Sequence, residues 1–198
     1  MQVMETIAIY WGAFNPPTLW HQEVMIKMIT KWYVDKIIFS PDGQRFDKNY
    51  WISHQERKDI LEIFASEIYQ KWLNIEFEDY FLKTNTPTTT MDVEEYYRQK
   101  LGFQPYHIFG IDTISFMPKW TWNKEKYLEI KLKKIFLMRK WFLLPENIDM
   151  ENYLILDLDI IDISSTLVRE MLKNKWKVSH VLTPWVYNYV LKNELYQN

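Results

Sequence analysis

Short apolar runs recur along this 198-residue chain, each bounded by turn-forming or polar residues and most followed by a segment of helical spacing. The runs are Thr6–Tyr10 (TIAIY), Lys36–Ser40 (KIIFS), Leu73–Phe77, Tyr106–Phe109 (YHIF) and Lys134–Met138, with a last extended segment over Tyr153–Ile163. Runs of four or five apolar residues are too short for buried helices and suit strands covered on both faces. Helical spacing falls at Leu19–Tyr33 and at Asp92–Lys100. It also begins at Ser53, where Glu56 completes a capping box, and continues through Ile60, Leu61, Ile63, Phe64 and Ile68. Two more helices follow, Ser165–Lys173 and Val181–Leu191, the last entered through Pro184. Strands alternating with helices require crossover connections, which are right-handed. The expected fold is therefore α/β, a doubly wound parallel sheet with helices on both faces. Its ligand site is expected outside the carboxyl ends of the strands. One domain over residues 1–198 is expected, with a C-terminal helical segment from about residue 165.

Composition narrows the function classes. Hydrophobic residues at 47% and charged residues at 25% exclude a disordered chain. The absence of cysteine excludes a disulfide scaffold and thiolate zinc sites. A formal net charge of −2 gives no support to a nucleic-acid surface. No apolar run reaches the roughly 18 residues of a membrane span, and Met1–Thr6 lacks the basic and apolar regions of a signal peptide. A cytoplasmic protein is expected.

Three segments sit where a strand gives way to a turn or helix. In Gly12-Ala13-Phe14-Asn15-Pro16-Pro17-Thr18-Leu19-Trp20-His21, a glycine permits close backbone approach and the next helix points free N–H groups back at the loop. Thr18 and His21 fall on one face of that helix start. A hydroxyl and an imidazole there suit a phosphate; equally, Thr18 could be only a cap and His21 a surface residue. In Ile163-Ser164-Ser165-Thr166-Leu167-Val168-Arg169, three hydroxyls, a helix N-terminus and a guanidinium converge, which suits a polyphosphate. A capped helix with a solvated arginine would show the same pattern. In Gly110-Ile111-Asp112 the carboxylate could accept from a ribose hydroxyl, or the segment could be an ordinary turn. His54, His107 and His180 have no metal-ligand spacing and read as structural. No nucleophilic triad or carboxylate pair stands out. Phosphate-holding positions at strand ends favour nucleotide chemistry over hydrolysis.

Together these segments resemble the nucleotidyltransferase superfamily with the (His/Thr)-x-Gly-His signature, and within it the nicotinate or nicotinamide mononucleotide adenylyltransferases. Gly12–His21 is similar to the first signature and Ile163–Arg169 (ISSTLVR) to the second. Lys48 and Arg57 stand where the family has a loop base and a helix arginine. Pro87-Thr88-Thr89-Thr90 resembles its threonine-rich segment, Gly110–Thr113 with Trp120 its Gly-x-Asp segment and downstream tryptophan, and Val181–Tyr196 its last helix. The resemblance implies a Rossmann-like nucleotidyltransferase fold. It implies adenylyl transfer from ATP to nicotinate mononucleotide with magnesium, releasing pyrophosphate, in NAD biosynthesis. His21, Thr18 and Arg169 would be catalytic. Gly12, Ala13, Phe14, Gly110, Asp112, Ser164, Ser165 and Thr166 would bind ATP, and Asn15, Lys48, Thr88, Thr89 and Trp120 the mononucleotide. No protein metal-ligand set is implied. The alternatives are nicotinamide mononucleotide or another phosphorylated acceptor, such as phosphopantetheine, and a catalytically silent nucleotide-binding relative. ATP and a pyridine mononucleotide are the expected partners, with no nucleic acid or membrane; a homo-oligomer is left open.

One departure from the family pattern is systematic. Tryptophan replaces glycine at Trp11, Trp20 and Trp176. Trp32, Trp51, Trp72, Trp141 and Trp185 also stand in turn-like contexts. The chain has 4 glycines and 10 tryptophans, whereas average usage would give about 14 glycines. A gene in which UGA encodes glycine, read as though UGA encoded tryptophan, would account for both. Any such position with φ > 0 would strain tryptophan, whereas φ < 0 with packed indoles would suit it. Trp120, matched by a family tryptophan, is expected to be a true one.

Overall fold

The computed structural model describes residues 5–45, 48–115, 133–140, 142 and 153–197. Within them lie strands β1 (Ile7–Gly12), β2 (Lys36–Pro41), β3 (Ile75–Phe77), β4 (Tyr106–Gly110), β5 (Lys134–Leu137) and β6 (Leu154–Leu156). The α-helices are α1 (Leu19–Thr30), α2 (His54–Tyr69), α3 (Tyr80–Thr84), α4 (Thr90–Leu101), α5 (Ser165–Lys173) and α6 (Pro184–Lys192). All strand pairs are parallel, in the order β3-β2-β1-β4-β5-β6. This order reverses between β1 and β4, and a crevice opens at such a reversal.

The period of two along each strand divides the core. Ala8, Tyr10, Ile37 and Phe39 face the layer that includes Val24, Met28, Leu61, Phe64, Val168 and Val190 of α1, α2, α5 and α6. Ile7, Ile9, Trp11 and Ile38 face Phe81, Val93 and Tyr97 of α3 and α4. Helices cover both faces, as expected. Ser53 caps α2 in the expected box: its hydroxyl accepts from Glu56 N–H at 3.2 Å, and its own N–H donates to Glu56 Oε2 at 2.7 Å.

Local readings differ from the structure in three places. The extended segment expected over Tyr153–Ile163 pairs only at Leu154–Leu156. Beyond it Asp157 accepts from the Asp159 N–H at 3.1 Å and Asp159 turns to φ +46°. A carboxylate that bonds nearby backbone competes with the ladder. Helix α3 follows Asp79 and was not anticipated, because five residues give too little periodicity. Trp185 is no turn residue: it is the second residue of α6.

The remaining tryptophans divide. Trp32, Trp51 and Trp72 have φ of +59°, +61° and +56°. Trp11 lies in β1 and Trp20 in α1, both packed and neither left-handed. Trp176 is exposed and follows the left-handed Lys175. Trp141 lies outside the described residues.

Candidate active site

The loop after β1 is held by its carbonyls. Ala13 O accepts from Arg57 Nε at 3.1 Å and Nη2 at 2.8 Å. Asn15 O accepts from Arg169 Nη1 at 2.7 Å, and Pro16 O from Ser165 Oγ at 2.8 Å. Each anchored carbonyl fixes a peptide plane. Two of the anchors come from α5, so the first and second signatures meet although some 150 residues separate them in sequence. The Asn15 side chain is almost fully buried. Its amide donates to Tyr50 O at 2.6 Å, and its Oδ1 accepts from the Tyr196 hydroxyl.

Arg57 is the deepest of these supports. Its guanidinium also donates to Gly43 O at 3.2 Å, pairs with the buried Asp42 carboxylate and lies 4.4 Å from the centre of the Tyr50 ring. Gly43 belongs there because a Cβ would come within 2.4 Å of Phe81 O, closer than backbone tolerates.

Thr18 is the N-cap of α1, and its N–H donates to His21 Nδ1 at 2.9 Å. A backbone amide can only donate, so Nδ1 carries no proton. The Thr18 hydroxyl lies 2.9 Å from the same nitrogen. The proton of the neutral ring therefore sits on Nε2. Burial, then the charges of Arg139 and Lys48, push the His21 pKa down to about 3. His21 is thus a neutral N–H donor held in one orientation, not an imidazolium.

Below the sheet, His107 Nδ1 meets Glu94 Oε1 at 2.9 Å, and Lys134 pairs with the same carboxylate. Burial holds His107 below its ordinary pKa as well. An unfolded chain takes up protons on both imidazoles below about pH 6.5, and the folded chain does not. Stability present above that pH is therefore lost as the pH falls towards the folded-state values. Urea midpoints are expected to drop between about pH 7.5 and about pH 5, by up to ~1.4 kcal/mol per pH unit for each histidine. His21→Asn should flatten the profile; an unchanged slope would contradict the neutral assignment.

At the start of α5, Ser164 accepts from Leu167 N–H at 3.1 Å as the cap. Thr166 Oγ1 accepts from Arg169 Nη2 at 3.2 Å. At the end of β4, Asp112 lies 3.7 Å from Arg139 Nε. Arg139 also donates to Asp162 Oδ1 at 2.9 Å and stacks 4.4 Å from the centre of the Trp20 ring.

These groups line one cavity of about 780 Å³ at the carboxyl ends of β1 and β4. Gly12, Ala13, Phe14, Asn15, His21, Lys48, Gly110, Asp112, Ser165, Thr166 and Arg169 all reach it. Thr18 and Ser164 do not line it; they orient His21 and cap α5. Thr88 and Thr89 also stand outside its lining, where Thr89 caps α4 by accepting from Asp92 N–H at 3.3 Å. Their neighbour Thr90 does line the cavity. Trp120 lies outside the described residues. Arg139, Arg45, Tyr50 and Thr90 are lining residues that the sequence reading did not select. Arg139 follows β5 by two residues, and the strand-end rule that selected Gly12 and Gly110 applies to it equally.

Arg45, Lys48, Arg139 and Arg169 bring positive charge to this cavity, and Asp112 is its one lining carboxylate among the described residues. With a neutral N–H donor and hydroxyls at a helix N-terminus, the arrangement can hold a polyphosphate and stabilise charge developing on it.

The chain as a whole is similar to known proteins. A "Probable nicotinate-nucleotide adenylyltransferase" of Clostridium acetobutylicum is 24% identical, with 98% of this chain and 100% of that protein covered. One of the same name from Bacillus cytotoxicus is 28% identical over the same shares. The structure of Plasmodium falciparum nicotinic acid mononucleotide adenylyltransferase complexed with NaAD superposes with a TM-score of 0.76 at 23% identity, covering 98% of each chain. The cytidylyltransferase-like family model matches residues 9–171, from within β1 into α5. Spanning both signatures and the strands between them, that match places the chain in the cytidylyltransferase-like family.

Proposed function

We propose that the protein transfers the adenylyl group of ATP to nicotinate mononucleotide, giving deamido-NAD and pyrophosphate, as a cytoplasmic enzyme of NAD biosynthesis. The observation that carries this is the neutral, oriented His21 beside the α5 N-terminus in a basic cavity. Curated relatives named for this activity, matched over nearly their whole length, support the choice of acceptor.

The 5′-phosphate of the mononucleotide is already ionised, so attack on the α-phosphorus needs no strong base. A new P–O bond forms to the acceptor oxygen, the bond from the α-phosphorus to the α,β-bridging oxygen breaks, and pyrophosphate leaves. His21 donates its Nε2–H to an α-phosphate oxygen where negative charge grows. Thr18 keeps the ring in that tautomer. Ser165, Thr166 and Arg169 hold the departing phosphates, and Lys48 and Thr90 face the acceptor side. Asp112 accepts from a ribose hydroxyl. Magnesium keeps most of its water and takes few protein ligands. No group of three metal-ligating side chains exists among the described residues, and one carboxylate lines the cavity. That donor set fits an ion that would be carried by the phosphates rather than by a protein site, where it would neutralise phosphate charge.

One observation favours a second reading, a silent nucleotide-binding relative: the Trp11 and Trp20 indoles occupy part of the cavity wall. Incubation with ATP, magnesium and each mononucleotide separates the two. Pyrophosphate release that depends on nicotinate mononucleotide is expected. Release with nicotinamide mononucleotide alone, or with neither, would overturn the assignment.

A further inference from the structure

We infer that positions 11, 20, 32, 51 and 72, written as tryptophan, are glycine in the protein as its own cell makes it, each encoded by UGA. Three left-handed tryptophans are the first support. A bulky residue at φ > 0 is an outlier, and the short turns after helices are ordinary glycine positions. Trp32 and Trp72 follow α1 and α2 in such turns, their N–H groups donating to Ile29 O at 3.0 Å and Tyr69 O at 3.2 Å. Both indoles are almost bare, at 85% and 94% exposed, so nothing packs to repay the strained backbone. Trp51 has the same backbone in the loop before α2. Composition is the second, independent support: 4 glycines stand where average usage would give about 14, and the chain carries 10 tryptophans.

The site supplies the third. Trp11 buries an indole N–H that has no partner among the described residues, a costly arrangement for a true tryptophan. Trp20 and Arg139 together separate the 780 Å³ cavity from a neighbouring one of about 160 Å³. With glycine at 20 the partition goes and the two cavities join. The Arg139 guanidinium, now covered by the indole, then turns an open planar face to the junction while its edge stays paired with Asp162. Such a face takes a flat aromatic group, and a purine base fits that description. This part rests on the proposed nucleotide substrate.

Three measurements test the inference. The gene should carry UGA at these five positions; UGG at Trp32, Trp51 and Trp72 overturns it. The triple variant W32G/W51G/W72G should melt higher, on the order of 5–10 °C, because the strain is relieved; an equal or lower Tm overturns the geometric argument. W20G should bind a non-hydrolysable ATP analogue about tenfold or more tighter by calorimetry, and adding R139A should remove most of that gain. Unchanged affinity in W20G overturns the merged cavity. If W20G binds tighter yet releases no pyrophosphate with either mononucleotide, the functional reading fails while the glycine assignment stands.

Discussion

Replacing His21 by alanine is expected to lower kcat by roughly 10²–10³-fold while the dissociation constant for ATP changes by less than about threefold. The difference follows from what each group touches. On the proposed function the triphosphate tail would lie in the ground state with Ser165, Thr166 and Arg169, none of which bonds to the imidazole. His21 offers one N–H, and its value rises as charge accumulates on the α-phosphate oxygens. Losing such a donor costs about 2.7–4 kcal/mol of transition-state stabilisation. Arg169→Ala divides the other way and acts chiefly on ATP affinity. With its pKa at about 3, His21 does not titrate near neutrality, so its removal should leave the shape of the pH–rate profile between about pH 6 and pH 8 unaltered. A raised KM for ATP with intact kcat in His21→Ala would show that the ring only binds.

Arg57→Ala should be the most damaging change to stability, costing about 3–5 kcal/mol. The guanidinium is 2% exposed and the Asp42 carboxylate has no exposure at all. Burial already raises the Asp42 pKa, and Arg57 is the largest influence holding it down. Without the arginine, the buried Asp42 carboxylate would keep only the Tyr50 hydroxyl at 3.0 Å and the looser Arg45 pair at 4.0 Å, or take up a proton. Ala13 O would lose its guanidinium donors as well, and Gly43 O would keep only the Tyr50 hydroxyl. The double variant D42N/R57M should recover part of the loss, because a neutral pair leaves no charge buried. Urea unfolding decides the matter. A single variant losing less than about 1 kcal/mol would mean that water replaces the guanidinium and the pair is not closed.

The strand and helix order was legible because the strands are built on short apolar runs such as Ile7–Tyr10, Ile37–Phe39 and Ile135–Leu137, and each long helix has a polar face. The strand-end rule then found Gly12, Gly110 and the Ser164–Arg169 segment without any knowledge of contacts. What it missed has physical causes. Arg139 stands alone after a strand, with no flanking glycine or hydroxyl to mark it. Thr88 and Thr89 are hydroxyls before a helix, and the sequence cannot separate a cap from a ligand contact when one residue suits both. Asn15 was read as an acceptor-side residue, yet its amide and carbonyl are both taken up within the protein. That arrangement depends on Tyr50 and Tyr196, 35 and 181 residues away in sequence, and no local pattern reports it.

The Tyr196–Asn15 contact, with the Leu19 N–H bonded to Val181 O at 2.9 Å, has a consequence for synthesis on the ribosome. The loop after β1 is made well before three of its supports, which follow it by 149, 154 and 181 residues. A nascent chain can form the β1–β2 pair and α1 long before it can set Asn15. Products of premature termination upstream of residue 165 would keep the first signature and lack both Arg169 and Tyr196. Such fragments cannot assemble the cavity, so a fully supported loop forms only on chains that extend through Tyr196.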